Sequence, residues 1–205
     1  RRMFDWGYDT EPEPRLDNRR IEAMRGKVLG GSSSINVMAY VRGNRGDYDR
    51  WARNGCHGWS YADVLPYFKR SESWEKGEDT WRGADGPLSV IDSRNRDPLF
   101  DAWLEGAQEA DWPFTEDYNG KEQDGFGLSQ WTIRNGRRCS ASTAFLRPAL
   151  RRPNLTVETH ALVTRVILEG TRAAGVEYAR HGRLHQASTT REVLLAGGAV
   201  PPDDR

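Results

Sequence analysis

Polar and apolar residues follow two different periods along this chain, and the architecture changes where one gives way to the other. The first 25 residues carry Pro12, Pro14 and mixed charges without any period, which predicts an extended arm. Helical spacing then takes over. Ser34 to Val41 predicts a short helix, and Asp47 to Asn54 a second one stopped by Gly55. Ser60 with Asp63 makes a capping-box variant ahead of Tyr61, Val64, Leu65 and Phe68, which share one helical face. The polar, glycine-containing stretch 73–86 predicts a loop, and Pro87 to Ile91 a strand. Asp97 caps and Pro98 opens a helix through Ala110, with Leu99, Trp103, Leu104 and Ala107 turned inward. A long loop over 111–127 leads to a strand from Leu128 to Ile133. Ser140 or Ser142 then starts a helix that Pro148 perturbs and Pro153 ends.

Beyond Pro153 the pattern becomes β-rich. Leu155–Glu158, Leu162–Leu168, Gly175–Tyr178, Leu184–Ala187 and Glu192–Leu195 are short runs separated by turn residues. They predict a small meander leading into a buried strand, Val193 to Ala196, that runs into Gly197 and Gly198. An apolar strand ending in glycines is one way a doubly wound sheet meets a dinucleotide. Neither an internal repeat nor a low-complexity tract is present.

The main chemical signal is the run from Arg25 to Gly43, in which Gly30-Gly31-Ser32-Ser33-Ser34 joins a basic, apolar lead-in to the first predicted helix. Glycine admits positive φ and lets a ligand approach without a Cβ in the way. Ser32 to Ser34 are placed to cap the helix, and its free N–H groups suit an anionic or strongly hydrogen-bonding cofactor. Taken alone, the same run also reads as a flexible turn.

Composition narrows the partners. Thirty basic and thirty acidic side chains cancel, so no global field draws nucleic acid or an acidic membrane, and the interspersed charges read as solvated helix faces. Eight tryptophans predict core or interface positions with satisfied N–H groups. Cys56 and Cys139 have neither metal-type nor redox-type spacing and predict free thiols in a reducing compartment. His57, His160, His181 and His185 lack any paired-ligand spacing and read as surface residues. No apolar run of membrane-spanning length and no signal-peptide pattern occur, so a soluble, cytoplasmic chain is the expectation. Gly26-Lys27-Val28 lacks the spacing of a Walker A loop, and the sequon Asn154-Leu155-Thr156 sits at a predicted strand start. The opening Arg and the abrupt end after an apolar strand predict an internal piece of a longer protein.

The run from Arg25 to Gly43 closely resembles the first signature of the glucose–methanol–choline (GMC) family of flavin-dependent oxidoreductases, in particular its choline-dehydrogenase-like branch. The resemblance continues in order through Asp47–Trp51, Gly58–Arg70, Asp85–Leu88, Gly125–Gly127, Asn135–Ala141 and Phe145–Ala149. It closes with Arg152–Val157, Gly175–Tyr178 and Glu192–Ala199, and so spans nearly the whole chain. It implies a mixed α/β (α+β) fold: a partial FAD-binding, Rossmann-like domain with a β-meander, plus part of a substrate-binding domain. Residues 1–75 and 136–205 would belong to the FAD-binding domain and 76–135 to the substrate side.

By position, the resemblance implies that Val28, Gly30, Gly31, Ser32, Asn36, Val37, Met38 and Ala39 lie against FAD, that Val163 meets the adenine, and that Gly198 also lies at the cofactor. Some relatives carry a flavin-linked His directly before the Asn; Ile35 stands there instead and implies a non-covalent cofactor. The catalytic His, and the segment gripping the ADP moiety, would fall outside the chain, so no catalytic residue is assigned within it. The expected activity of the parent is oxidation of an alcohol, with hydride passing to the flavin and a separate electron acceptor. Hydroxynitrile lyases share this scaffold, and an inactive remnant is the other alternative. After Val200 the tail Pro201–Arg205 departs from the family pattern, which continues into an apolar helix.

Overall fold

The arm expected over residues 1–25 folds back on itself as an antiparallel ribbon. Bridges Asp5↔Gly26, Asp9↔Glu22 and Glu13↔Arg19 are joined by bonds such as Trp6 N to Arg25 O, 3.0 Å, and Thr10 N to Ile21 O, 2.9 Å. One 3₁₀ turn, Pro14–Leu16, closes it, with Asp17 and Asn18 in the left-handed region that short polar side chains tolerate. The computed structural model describes residues 3–94 and 97–198, so the divergent tail Pro201–Arg205 lies outside the described residues.

The chain divides at residue 152 into two units. In the first, α1 (Arg45–Arg53) is capped by Asn44, and α2 (Tyr61–Ser71) starts on the complete Ser60–Asp63 capping box. Tyr61 is buried on the predicted face of α2, while Val64, Leu65 and Phe68 are half-buried. The 73–86 segment is not all loop: β1 (Glu72–Trp74) pairs in parallel with β2 (Leu88–Asp92), and β2 pairs antiparallel with β3 (Gln130–Trp131). Helix α3 (Pro98–Glu109) is capped by Asp97 as expected. Its expected inward face is only partly realised, because Ala107 is buried but Leu99 is 78% and Trp103 51% exposed. Trp103 packs edge-on against Phe126 of the long loop instead, at 4.7 Å between ring centroids.

The expected strand from Leu128 to Ile133 is interrupted at Thr132. Its second half, β4 (Ile133–Arg134), turns through Asn135-Gly136 into β5 (Arg137–Arg138), both turn residues having positive φ. This is the Asn-Gly hairpin chemistry that matches strand twist. Ser140 then accepts from Thr143 N, and the chain runs through a π-helical turn, Ser142–Leu146, into α4 (Arg147–Ala149).

The core of this unit is unusually polar, which corrects the reading of its charges as solvated helix faces. Glu72, Arg82 and Gln130 are each 0% exposed, and Arg42, Asn119 and Trp74 are also buried. Arg82 grips Glu72 through Nε and Nη2 at 3.1 and 3.2 Å and reaches Asp117 at 2.7 Å. Arg42 Nη2 bonds the same Glu72 carboxylate, and Trp74 lies 4.0 Å beneath the Arg82 guanidinium. Two cations and two anions thus close on one another, which is how a buried charge becomes tolerable. Most tryptophans lie elsewhere than in this core: Trp6, Trp51, Trp59, Trp103 and Trp112 are exposed.

In the second unit, β6 (Leu162–Glu169), β7 (Arg172–Arg180) and β8 (Arg183–Ser188) form the expected antiparallel meander, in that order. The runs Leu155–Glu158 and Glu192–Leu195 form no strand. The strand expected at Val193–Ala196 is neither paired nor buried: Leu194 is 81% exposed. An apolar strand needs neighbours on both edges to hide its backbone, and no other described segment of this unit pairs with it.

Candidate functional site

The glycine turn is built by backbone conformation. Gly30 and Gly31 have φ of 92° and 54°. At Gly26 a Cβ would stand 2.3 Å from Gly31 O, and at Gly30 it would stand 2.6 Å from Ser34 Oγ and 3.0 Å from Ser142. At Gly31, by contrast, nothing lies within 4 Å of a Cβ position. The turn is therefore closed on the side of Gly26 and Gly30 and open at Gly31.

The serines do not cap a helix. Gly31–Ser34 is a single 3₁₀ turn with no side-chain cap. Ser33 Oγ donates to Gly30 O at 2.6 Å and Ser34 Oγ to Leu29 O at 2.9 Å, while Ser32 Oγ accepts from Gly26 N at 3.1 Å. The hydroxyls thus tie the turn to itself. The helix expected over Ser34–Val41 is replaced by an extended segment with Met38 at φ 68°. Asn36 Oδ1 accepts from Met38 N at 3.0 Å, a local bond that competes with helix. Beyond it Met38 O accepts from Thr132 N, and Tyr40 N donates to Gln130 O, both at 2.9 Å.

The residues named from the sequence between 28 and 39 therefore share one loop, held by β3, by Thr132 and by Arg138 of β5. Val28, Ser32, Asn36, Val37 and Ala39 are exposed, and Gly30, Gly31 and Met38 half-buried; Val37 reaches 76%. Tyr40, just past the loop, has its phenol pushed up to about 12, first by burial and then by the negative Glu72. Val163 and Gly198 belong to the second unit. Val163 lies on β6 and pairs with Tyr178 of β7; β6 is an edge strand whose outer backbone groups face away from the sheet. Gly198 has φ 94°.

Two contributors escaped the sequence reading. Arg138, delivered by the Asn135-Gly136 hairpin, donates from Nη1 to Ser33 O at 3.1 Å and to Asn36 Oδ1 at 2.8 Å. The Asn-Gly pair was the signal that could have placed it. An open groove of about 640 Å³ runs along β2 and β4 over Ser89, Ile91, Trp131 and Ile133. Its rim residue Trp131 bridges to Ala39 of the loop. Among the described residues, no cluster of His, Cys, Asp and Glu could hold a metal ion. No helix among them is long and apolar enough to cross a membrane.

Comparison with known proteins supplies the family. The GMC oxidoreductase profile matches residues 13–202. Mouse (Mus musculus) mitochondrial choline dehydrogenase is 49% identical over 96% of this chain and 33% of its own length. The oxygen-dependent choline dehydrogenase of Sinorhizobium fredii is 51% identical over 96% of this chain and 36% of its own. The chain thus spans about a third of the length of these curated relatives. Among solved structures, pyridoxine 4-oxidase from Mesorbium loti superimposes with a TM-score of 0.85 at 32% identity, covering 91% of this chain and 37% of that one. An FAD-dependent oxidoreductase from Chaetomium thermophilum gives 0.83 at 26% identity, covering 92% and 35%. With its mixed α/β fold and a family match running almost end to end, the chain belongs to the GMC oxidoreductases.

Proposed function

We propose that these residues are an internal segment of an FAD-dependent, choline-dehydrogenase-like enzyme that oxidises a small CH–OH donor and passes electrons to a separate acceptor. The observation that carries this reading is the identity of about half the residues to choline dehydrogenases over 96% of the chain. Residues 1–75 and 136–205 serve the cofactor domain and 76–135 the substrate side. Val28, Gly30, Gly31, Ser32, Asn36, Val37, Met38 and Ala39 form a wall for FAD in the first unit; Val163 and Gly198 are proposed as cofactor contacts of the second unit, each within its own unit. In support, the loop is rigidly backed yet exposed at Asn36 and Val37, and open at Gly31.

When bound there, FAD supplies the hydride acceptor. The chain's own work is to place it: the Gly26–Ser34 turn offers a fixed backbone surface, and the apolar Val37 and Ala39 exclude water beside it. Ile35 offers no nucleophile, so the cofactor is held without a covalent link. The groove over Ile91, Trp131 and Ile133 supports a substrate-side wall next to the loop. Neither nucleic acid nor a membrane span enters this reading. A cytoplasmic site is proposed, although the mouse and human relatives are mitochondrial.

Purification of the full-length protein and of the 205-residue segment tests the proposal. The full-length protein is expected to carry FAD, released by denaturation without a peptide attached, and to reduce an artificial acceptor with choline or another small alcohol. The segment is expected to be colourless and inactive. A full-length protein free of FAD overturns the reading, as does a segment that turns over alone.

A further inference from the structure

The orientation of the Asn36 side chain follows from chemistry. Its Oδ1 receives the backbone N–H of Met38 at 3.0 Å and the Arg138 guanidinium at 2.8 Å. Both partners are obligate donors, since neither a backbone amide nor a guanidinium can accept. The atom facing them must be the carbonyl oxygen, and an amide flip would set an NH₂ group against two donors. Asn36 Nδ2 is therefore the one polar end left, and it bonds nothing among the described residues although the side chain is exposed.

We infer that Arg138 is a positioning residue that locks Asn36 as a pure hydrogen-bond donor, so that the loop meets its cofactor at an acceptor atom: a flavin carbonyl or ring nitrogen, a ribityl oxygen or a phosphate oxygen. The inference rests on the proposed FAD site. Arg138 comes from a hairpin more than a hundred residues away in sequence. Its second bond, to Ser33 O, ties the same guanidinium to the turn, so one side chain sets both the turn and the amide.

Asn36→Asp separates positioning from structure. The carboxylate keeps both acceptor contacts and strengthens the one to Arg138 by charge, but it has no donor and places a negative charge toward an acceptor-rich cofactor. In the full-length protein, thermal unfolding of the apo form is expected to be unchanged or higher, while FAD affinity by flavin fluorescence falls at least tenfold. Arg138→Met is expected to weaken FAD binding about as much, and Arg138→Lys to recover part of it. If Arg138→Met does not fold, Asn36→Asp and Arg138→Lys carry the test. Asn36→Asp binding FAD as tightly as wild type overturns the inference and leaves the proposed function standing. A wild-type protein that binds no FAD overturns both.

Discussion

Tyr40 shows how one side chain links the candidate site to the core. Its backbone is held on both sides, N–H to Gln130 O and C=O from Asn119 Nδ2 at 3.0 Å. Its phenol is kept protonated up to about 12, against 10.0 for an unburied tyrosine. The unfolded chain gives up this proton near 10, so between pH 10 and 12 it binds fewer protons than the folded chain and gains stability relative to it. The stabilisation is intact below pH 10 and is lost as pH rises through 12. Urea unfolding measured from pH 9 upward is expected to show this decline, and Tyr40→Phe to flatten it. An equal slope in the variant would assign the decline to other groups.

At the scale of elements, two helix caps read from the sequence were realised, whereas long-range partners were hidden. Asp97-Pro98 and Ser60 with Asp63 act within one turn, and both helices begin where those residues say. Ser60→Ala removes the acceptor of Asp63 N and is expected to cost about 1 kcal/mol, read as a lower midpoint in urea. The Ser34–Val41 helix failed for a different reason: Asn36 bonds Met38 N, and partners at Gln130 and Thr132 claim the groups a helix would pair internally. The turn residues were legible because they are contiguous and glycine-rich. Arg138 was not, since its partners Ser33 and Asn36 lie 105 and 102 positions away. Arg82 was equally hidden, sitting in a polar stretch whose composition reads as solvent-facing.

At the scale of the whole molecule the two units differ in what holds them. Residues 153–198 bury only Ala174 and Gly175, and β8 is exposed along its length. Leu162, Val163, Leu168 and Leu184 stay exposed on these strands, and a three-stranded sheet whose apolar side chains are left uncovered gains little stability of its own. A peptide covering 153–198 is expected to show no cooperative thermal transition by circular dichroism and no protected amides; a sharp transition would show that the meander folds unaided. The first unit instead depends on Glu72, whose carboxylate receives Arg42, the Nε–Nη2 edge of Arg82 and the Gly83 N–H. Removing one member strands the rest, and a broken buried ion pair costs about 3–5 kcal/mol. For a lineage this acts as a ratchet: residues 42, 72, 82, 117, 119 and 130 drift together or stay. Across a wide set of descendants, those six positions are expected to vary as a single inherited character.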